Sequence, residues 1–276
     1  MRLLSSFNAV AAGLGLLALP GVAFAQALEF VGVPVPKGTE HQPAATEIAR
    51  DLQWLDYMIN NIMFVIVGFV TLLLIVIAIK FNRKSNPTPA TFTHNSPLEV
   101  AWTIVPILVL IFIGSFSLPA LFKQQEIPVA DITIKVTGNQ WYWSYEYVDD
   151  GVSFDSFKLE KDQLAAAGYR PEDYLLATDT AVVIPVGKTI VMQVTGSDVI
   201  HAWAMPAFGV MQSGVPGRLG QLWFTAEREG IYFGQCTTLC GKDHAYMPIT
   251  VKVVSQQAYD AWLVGAKAGN LQLAAN

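Results

Sequence analysis

The only two cysteines of the chain, Cys236 and Cys240, lie close to a histidine and a methionine. His244 follows the second cysteine by four residues and Met247 follows it by seven. Thiolate, imidazole and thioether together form the soft donor set that selects copper. A single electron-transfer copper needs two histidines, one cysteine and a weak methionine ligand. The segment therefore has one cysteine more, and one histidine fewer, than such a site requires.

A disulfide is the competing interpretation, since a lone cysteine pair in an exported protein usually forms one. A bridge from Cys236 to Cys240 would close a very short loop, where the entropic stabilisation is smallest. It would also leave His244 and Met247 unexplained. Zinc is the competing metal, but zinc sites rarely use methionine. We therefore favour copper, and the surplus thiolate favours two copper ions bridged by the two cysteines.

The missing histidine must come from another part of the chain, which has four histidines. His41 precedes the first long apolar run, and His94 lies between the two such runs. Only His201 remains as a candidate in the region after the apolar runs. It follows TIVMQVTG, a predicted strand.

The composition predicts a membrane part joined to a water-exposed domain, because 53% of residues are hydrophobic and only 14% are charged. Residues 62–79 carry no charge and, at ~1.5 Å per residue, span about 27 Å, close to the thickness of a bilayer core. Residues 100–122 form a second run, which contains Pro106 and Pro119. Membrane helices tolerate proline where neighbours satisfy the freed carbonyls. We predict a two-helix hairpin whose second helix packs against another protein.

The orientation in the membrane follows from two independent patterns. Residues 1–25 have an early arginine, a short apolar core and an A-x-A end, which are typical of a cleaved signal peptide; an uncleaved first helix is the alternative. The loop between the two runs has basic residues and no acid before Glu99, so the positive-inside rule places it in the cytoplasm. These basic residues are Lys80, Arg83 and Lys84. Both patterns place the mature termini outside the cytoplasm.

From about residue 127, short alternating runs of β-branched and aromatic residues predict an all-β sandwich or barrel. Residues 158–177 interrupt it with a polar, partly helical insertion, and residues 256–268 are predicted to form a closing amphipathic helix. In the QWYWSYEYV run, Tyr142, Trp143 and Tyr145 are expected to pack inside the barrel. The predicted strands are DITIKVTG, QWYWSYEYV, AVVIPVG, TIVMQVTG, GQLWFTA, GIYFGQ and ITVKVVS.

The water-exposed region is acidic. From residue 126 onward it has 16 Asp and Glu against 10 Lys and Arg, a difference of −6. This charge suits a basic protein partner, because complementary charge speeds encounter. It argues against a nucleic acid as the partner, since nucleic acids require the opposite sign.

Several long motifs resemble the cytochrome c oxidase subunit II family, and its alphaproteobacterial members most of all. The resemblance implies a cupredoxin-like β-barrel with a dinuclear copper centre, CuA, anchored by a two-helix hairpin in the bacterial inner membrane. It also implies a haem-bearing subunit I and a subunit III as partners. The motifs are FTHNSPLEVAWTIVP, KVTGNQWYWSYEY, LLATDTAVV, VTGSDVIHAW, VPGRLGQLWF and FGQC--LCG--HAYMPI. The expected divisions are a signal peptide (1–25), an exported segment (26–55), a transmembrane hairpin (56–123), a CuA domain (124–254) and a C-terminal helix and tail (255–276).

The family's copper ligands can be carried over residue by residue. In the family the two cysteines bridge the coppers, each copper takes one histidine, and the methionine and one backbone carbonyl are axial ligands. Relatives carry glutamate at position 238, where its carboxylate also binds magnesium, whereas this chain has Thr238. A threonine hydroxyl is a poor ligand for a hard cation, so the resemblance predicts an intact copper centre and a weakened or absent magnesium site. The implied copper ligands are His201, Cys236, the carbonyl of Thr238, Cys240, His244 and Met247.

The resemblance further implies a subunit that takes electrons from cytochrome c and passes them to haem in subunit I, where oxygen is reduced to water with proton pumping. Trp141 matches the tryptophan through which the electron arrives. Glu99 matches an acid at the mouth of a proton channel, although Ser96, Pro97 and Glu99 also fit a capping box with Ser96 as N-cap. The acids expected to dock cytochrome c are Glu146, Asp155, Asp179 and Asp198.

Other protein classes fit less of the sequence. A quinol oxidase version of the fold lacks the metal, whereas this chain has the complete ligand set. An exported CuA electron-transfer module of another respiratory reductase would not explain the two membrane runs. A C-terminal haem is excluded because the chain has no C-x-x-C-H motif.

Overall fold

The computed structural model describes residues 28–273, so the predicted signal peptide, residues 1–25, lies outside the described residues. The described chain forms two long helices, a two-sheet β domain and a closing helix. The helices are α1 (Glu47–Lys80), α2 (Ser96–Gln125) and α3 (Gln256–Lys267). The strands are β1 (Phe30–Gly32), β2 (Ile132–Asn139), β3 (Tyr142–Tyr147), β4 (Val152–Ser156), β5 (Val182–Pro185), β6 (Thr189–Gly196), β7 (His201–Met205), β8 (Val210–Gly214), β9 (Gly220–Thr225), β10 (Gly230–Cys236) and β11 (Pro248–Val254).

Helices α1 and α2 are both long and apolar enough to cross a membrane. The first begins nine residues before the predicted hairpin boundary at residue 56, because Thr46 caps it by accepting a hydrogen bond from the Ala49 amide at 3.0 Å. Its first turn is not a membrane segment, since Ile48 and Ala49 are buried. The added turns attach the hairpin to the β domain.

The start of α2 corrects one prediction. The N-cap is Asn95 and not Ser96: the Asn95 side chain accepts from the Leu98 amide at 3.2 Å, and Glu99 Oε1 accepts from the Asn95 amide at 3.0 Å. Asparagine caps as well as serine, and a cap at Asn95 still leaves its N–H within reach of the Glu99 carboxylate. The reciprocal capping role of Glu99 is therefore retained, one residue earlier than expected.

Lys123, in the last turn of α2, links three elements. Its ammonium contacts Glu47 at 2.6 Å and Asp51 at 2.8 Å, both on α1. Its backbone carbonyl accepts a hydrogen bond from Trp223 Nε1 of β9 at 3.1 Å. The two helices and the β domain thus meet at one residue.

The β domain consists of two sheets, as the fold prediction required. One has the order β5-β11-β10-β7-β8, with β1 paired to β10, and the other has the order β4-β3-β2-β6-β9. All seven predicted strands are present. Strands β1, β4, β7 and β8 were not predicted; β7 is buried along its whole length and so shows no alternation.

The core lies between the sheets and contains large aromatic side chains. Trp143 and Tyr145 belong to it, as predicted, but Tyr142 does not. Because side chains alternate along a strand, Tyr142 lies on the opposite face, where it stacks on Phe157 with ring centroids 4.6 Å apart. Helix α3 closes the domain as predicted, with Trp262 packed against Tyr147.

The insertion at residues 158–177 is less helical than predicted. Its only helical turn is a 3-10 turn, Pro171–Asp173. Asp173 is fully buried, and its carboxylate accepts from Arg170 Nη2 at 2.7 Å. The insertion packs on Ile231 and Phe233 of β10 in a small apolar cluster of its own. It therefore supports the outer face of the strand that ends at Cys236.

Candidate metal centre

Two candidate ligands lie at the ends of neighbouring strands. His201 is the first residue of β7, and Cys236 is the last residue of β10. The two strands pair antiparallel, with Cys236 opposite Trp203, which places the start of one beside the end of the other. We call His201 and Cys236 the strand-borne ligands.

The other candidate ligands lie in residues 237–247, which connect β10 to β11; we call this segment the ligand loop. Cys240 Sγ is 3.9 Å from Cys236 Sγ, and the two sulfurs are not bonded to each other. It is also 3.5 Å from His244 Nδ1 and 3.4 Å from Met247 Sδ. One nitrogen of His201 and the two cysteine sulfurs lie within 4.8 Å of one another. The structure thus brings together the five predicted ligand side chains.

The backbone carbonyl of Thr238 also points into this cluster. Its oxygen lies 3.3 Å from Cys236 Sγ. The Thr238 side chain has no part in that contact, so the position of the carbonyl does not depend on which side chain stands at residue 238.

The His201 ring is fully buried and tightly held. Its Nε2 lies 2.8 Å from Asp198 Oδ1. On another side the ring rests on the backbone of Gly138, where a Cβ atom would come within 2.6 Å of His201 Cγ. No residue other than glycine fits there without displacing the ring.

The second ring nitrogen of His201 provides a test of metal binding. Nδ1 is buried and has no hydrogen-bond partner among residues 28–273. A buried polar atom without a partner is costly and requires an explanation. Next to two thiols and a thioether, a soft metal ion supplies that explanation, so the residues present fit a copper site.

The metal-free thiols differ in acidity. Burial raises the pKa of Cys236, but the neighbouring His201 ring and hydrogen bonds with the backbone outweigh burial and lower the pKa to about 7. Burial and the nearby Cys236 thiolate raise the pKa of Cys240 to about 12. Burial lowers the pKa of His201, yet the neighbouring Cys236 and the hydrogen bond with Asp198 outweigh this and raise the pKa. The more acidic of the two thiols therefore lies on the strand-borne side.

Trp141 touches the ligand loop. Its indole Nε1 donates to the Cys240 carbonyl at 3.3 Å, and Gln140 Nε2 donates to the same oxygen at 2.8 Å. The indole is half-buried, because the loop packs against it. Gly241 permits this approach: its φ is +126°, and a Cβ there would lie 2.9 Å from Trp141 Cζ2.

The four predicted docking acids fall into two groups. All four are exposed, but Glu146, Asp155 and Asp179 have no contact with the candidate ligands. Glu146 and Asp155 lie on the paired strands β3 and β4 and share one open surface. Asp198 differs, because its carboxylate is bonded to His201 at the metal centre.

Glu99 is not part of this cluster. It lies in the first turn of α2, whose other end meets the β domain through Lys123 and Trp223. At about 1.5 Å per residue, the helix separates Glu99 from the β domain by roughly 35–40 Å. The proton-channel role predicted for Glu99 therefore concerns the end of α2 that is remote from the candidate metal centre.

Sequence reasoning missed three residues that shape the site. Gly138 and Gln140 gave no signal, since a glycine under a ring and an amide on a carbonyl leave no pattern in one sequence. Asp198 was predicted only as a docking acid for cytochrome c. Its position three residues before His201 is the signal that could have indicated a hydrogen bond with the histidine.

A two-helix membrane anchor joined to a two-sheet β domain, with clustered histidine, cysteine and methionine on strand ends and one loop, defines a membrane-anchored cupredoxin-like metalloprotein. Two family models match the chain: cytochrome c oxidase subunit II, transmembrane domain, over residues 34–120, and its periplasmic domain over residues 132–254. The chain belongs to the cytochrome c oxidase subunit II family. The predicted resemblance is confirmed.

Individual relatives agree with this assignment. The chain is 57% identical to cytochrome c oxidase subunit 2 of Cereibacter sphaeroides, over 95% of this chain and 91% of the relative. It is 39% identical to a probable cytochrome c oxidase subunit 2 of Rickettsia bellii, over 94% and 97% of the two chains. A solved structure, the periplasmic domain of subunit II of cytochrome oxidase of Bradyrhizobium japonicum, is 48% identical over 52% of this chain and 99% of that chain, with a TM-score of 0.47.

Membership defines the chain as a membrane-anchored subunit of a cytochrome c oxidase, a haem–copper terminal oxidase, and other oxidase subunits are therefore its partners. The family and the cluster of His201, Cys236 and Cys240 support copper binding. The alternative of a separate exported electron-transfer module is not favoured, because the family match includes the transmembrane domain.

Proposed function

We propose that this subunit accepts electrons from cytochrome c at a dinuclear copper centre and passes them to haem in subunit I. The ligands would be the five clustered side chains and one backbone carbonyl: His201, Cys236, Thr238 (carbonyl), Cys240, His244 and Met247. When bound, the copper pair supplies one-electron chemistry at nearly constant geometry. The observation that carries the proposal is the convergence of these donors around two unbonded sulfurs.

The protein's own contribution is to hold the donors ready before the metal arrives. His201 is fixed between Asp198 and Gly138, and Cys236 is fixed at the end of a paired strand. The lowered pKa of Cys236, about 7, makes a substantial fraction of its sulfur thiolate near neutral pH, and thiolate is the form that binds metal. Preorganisation of this kind lowers the cost of ordering ligands around an ion.

The number of copper ions is tested by metal analysis of the full-length chain purified in detergent. We expect two coppers per chain and an EPR spectrum of one electron shared by two copper nuclei. Cys240→Ser should abolish that spectrum, because a serine hydroxyl does not replace a bridging thiolate. A single copper per chain in the unsubstituted protein would contradict the dinuclear proposal.

Trp141 is proposed to carry the electron from cytochrome c to the centre. The support is its position: a half-buried indole in direct contact with the Cys240 carbonyl. Trp141→Phe in the oxidase complex should slow oxidation of cytochrome c and leave the copper EPR spectrum unchanged. Tyr142→Phe, beside it, is the matched control and should retain the normal rate. Equal rates for both variants would remove Trp141 from this role.

Docking of cytochrome c is assigned to the acidic surface that carries the exposed Glu146, Asp155 and Asp179, together with Asp198. The net charge of the region, −6 from residue 126 onward, supports a basic partner. Because exposed charges are screened by salt, the affinity for cytochrome c should fall steeply as ionic strength rises.

Glu99 is proposed to admit protons from the cytoplasm into subunit I, in addition to capping α2. The capping hydrogen bond uses one carboxylate oxygen, Oε1, which leaves the other for a second role. Glu99→Gln keeps an acceptor for the Asn95 amide but removes the titratable proton, so turnover of the complex should fall while the subunit stays folded. Unchanged turnover in Glu99→Gln, with destabilisation in Glu99→Ala, would leave capping as the only role.

The membrane orientation is part of the same proposal. Lys80 ends α1, and Arg83 and Lys84 lie on the connection between α1 and α2, which supports a cytoplasmic position for that loop. The β domain and both mature termini would then lie in the periplasm, on the outer side of the bacterial inner membrane. Protease treatment of intact spheroplasts should cleave the β domain and spare the loop.

The magnesium site of relatives is proposed to be weakened or absent here, because Thr238 replaces a carboxylate with a hydroxyl. Subunit III is proposed as a further partner on the strength of the family resemblance. Metal analysis of the whole oxidase complex tests the first point, and stoichiometric magnesium would contradict it.

A further inference from the structure

We propose that Asp198 is a positioning residue for the metal centre, which fixes the orientation of His201 and links it to the segment that holds the ligand loop. This inference rests on the proposed copper function. It concerns how the ligands are aligned and is separate from any docking role of the same carboxylate.

The contacts of Asp198 account for both carboxylate oxygens. Oδ1 lies 2.8 Å from His201 Nε2 and accepts from the Val199 amide at 2.6 Å. Oδ2 accepts from the backbone amide of Gln140 at 2.8 Å. About one-third of the side chain remains exposed, so the carboxylate lies between the solvent and the buried imidazole of His201.

The hydrogen bond to Nε2 decides which ring nitrogen is free. Because a carboxylate accepts and does not donate, the His201 proton lies on Nε2, and Nδ1 keeps its lone pair for a metal. Gly138 supports the ring from another side, where an added Cβ atom would lie 2.6 Å from His201 Cγ. Carboxylates that hold a ligating histidine in this way fix both its tautomer and its orientation.

The hydrogen bond to Gln140 extends the effect to the ligand loop. Gln140 and Trp141 both donate to the carbonyl of Cys240. Asp198 therefore connects a strand-borne ligand, His201, to a loop-borne ligand, Cys240, through two consecutive residues. None of the other three predicted docking acids has a hydrogen bond to a candidate ligand in the described structure.

The test compares Asp198→Asn with Asp155→Asn, a matched removal of one carboxylate charge. Asp155 is exposed and accepts a hydrogen bond from the Ser144 hydroxyl, remote from the ligands. Full-length chains in detergent would be loaded with copper and challenged with a chelator, while absorption and EPR spectra report the centre. In parallel, the oxidase complex would be assayed for the KM of cytochrome c over a range of ionic strength.

We expect Asp198→Asn to lose copper roughly tenfold faster than the unsubstituted chain, the lower end of the effect of removing a carboxylate behind a ligand, and to have a shifted EPR spectrum. Asp198→Glu should recover part of the retention. Asp155→Asn should retain copper at the normal rate with a normal spectrum, and only its KM for cytochrome c should rise at low salt.

The proposal is overturned if Asp198→Asn retains copper and its spectrum as Asp155→Asn does, with only KM changed. If Asp198→Asn unfolds, Asp198→Glu decides by the same chelator measurement: normal retention supports positioning by the carboxylate, and loss equal to that of Asp198→Ala overturns it. Failure of the copper function itself is distinguishable, because the unsubstituted chain would then bind no copper.

Discussion

The strand-borne and loop-borne ligands differ in how firmly the protein holds them. His201 and Cys236 are buried on paired strands, and His201 is confined by a carboxylate and a glycine. On the ligand loop, Cys240 and Met247 are buried as well, but His244 is half-buried in a short 3-10 turn. Its Nδ1 lies 3.5 Å from the sulfur of Cys240, and the ring has no carboxylate partner like that of His201 among the hydrogen bonds of residues 28–273.

This difference indicates that the strand-borne and loop-borne ligands have different roles in metal binding. Ligands on strands keep their geometry whether or not a metal is bound, since strand pairing and core packing fix them. A ligand on a loop can move to admit an ion and then close on it. The site thus combines strand-borne ligands in fixed positions with a ligand loop that can adjust.

Gly138→Ala should have the largest effect, because it would displace the ring of the strand-borne ligand His201. The new Cβ would lie 2.6 Å from His201 Cγ and 2.7 Å from its Cβ. Overpacking of this kind costs up to about 3 kcal/mol, and displacement of the ring should lower copper affinity roughly 100-fold. Thermal unfolding of the full-length chain in detergent and copper titration measure the two effects.

Thr137→Ala is the control for that substitution. Thr137 is the neighbouring residue of β2 and lies on the outward face of the strand. Its removal should leave copper binding unchanged. A normal copper affinity in Gly138→Ala would show that copper binding does not depend on a fixed position of the His201 ring.

Replacing the two histidines in turn sharpens the comparison further. Both His201→Ala and His244→Ala should abolish normal copper binding. In the metal-free chain, however, His201→Ala should destabilise the fold by about 2 kcal/mol, because it removes a fully buried ring and leaves a cavity. His244→Ala should change the stability by about 0.5 kcal/mol or less, as is usual for a surface loop. Equal unfolding temperatures for the two variants would contradict the comparison.

In the metal-free chain, the two cysteines should differ in the pKa of their thiols. Because the pKa of Cys236 is lowered to about 7, its thiolate stabilises the fold at pH values above the ordinary thiol pKa, and this stabilisation is lost as pH falls through about 7. The pKa of Cys240 is raised to about 12, so it stays protonated over the same range. Carbon-13 NMR of cysteine-labelled metal-free chain should show one resonance that titrates near pH 7, and Cys236→Ser should remove it.

The smallest effect is expected on the acidic surface, away from both sets of ligands. Asp179→Asn should raise the KM of the oxidase complex for cytochrome c by about two- to fivefold at low salt, the range for an exposed ion pair. At high ionic strength the difference should vanish. A KM that stays raised in high salt would indicate a packing defect, since Asp179 also accepts from the Phe157 amide.

The sequence was sufficient for those features that rest on local pattern or on residue chemistry. Runs of β-branched and aromatic residues predicted seven of the strands, and the donor set of Cys236, Cys240, His244 and Met247 indicated copper. The prediction failed for β7, which is buried along its whole length like the predicted β5 but has none of the β-branched residues of β5. It also could not identify Gly138 or Gln140, because contacts between distant strands arise only when the sheets pair.

The joint at Lys123 has a mechanical consequence. This one residue holds α1 through two ion pairs and β9 through its carbonyl. A change in the tilt of α2, such as a thinner bilayer would impose, must therefore rotate the β domain or break the Trp223 hydrogen bond. The position and tilt of the α1–α2 hairpin in the bilayer thereby determine the height and angle at which the ligand loop faces the aqueous phase.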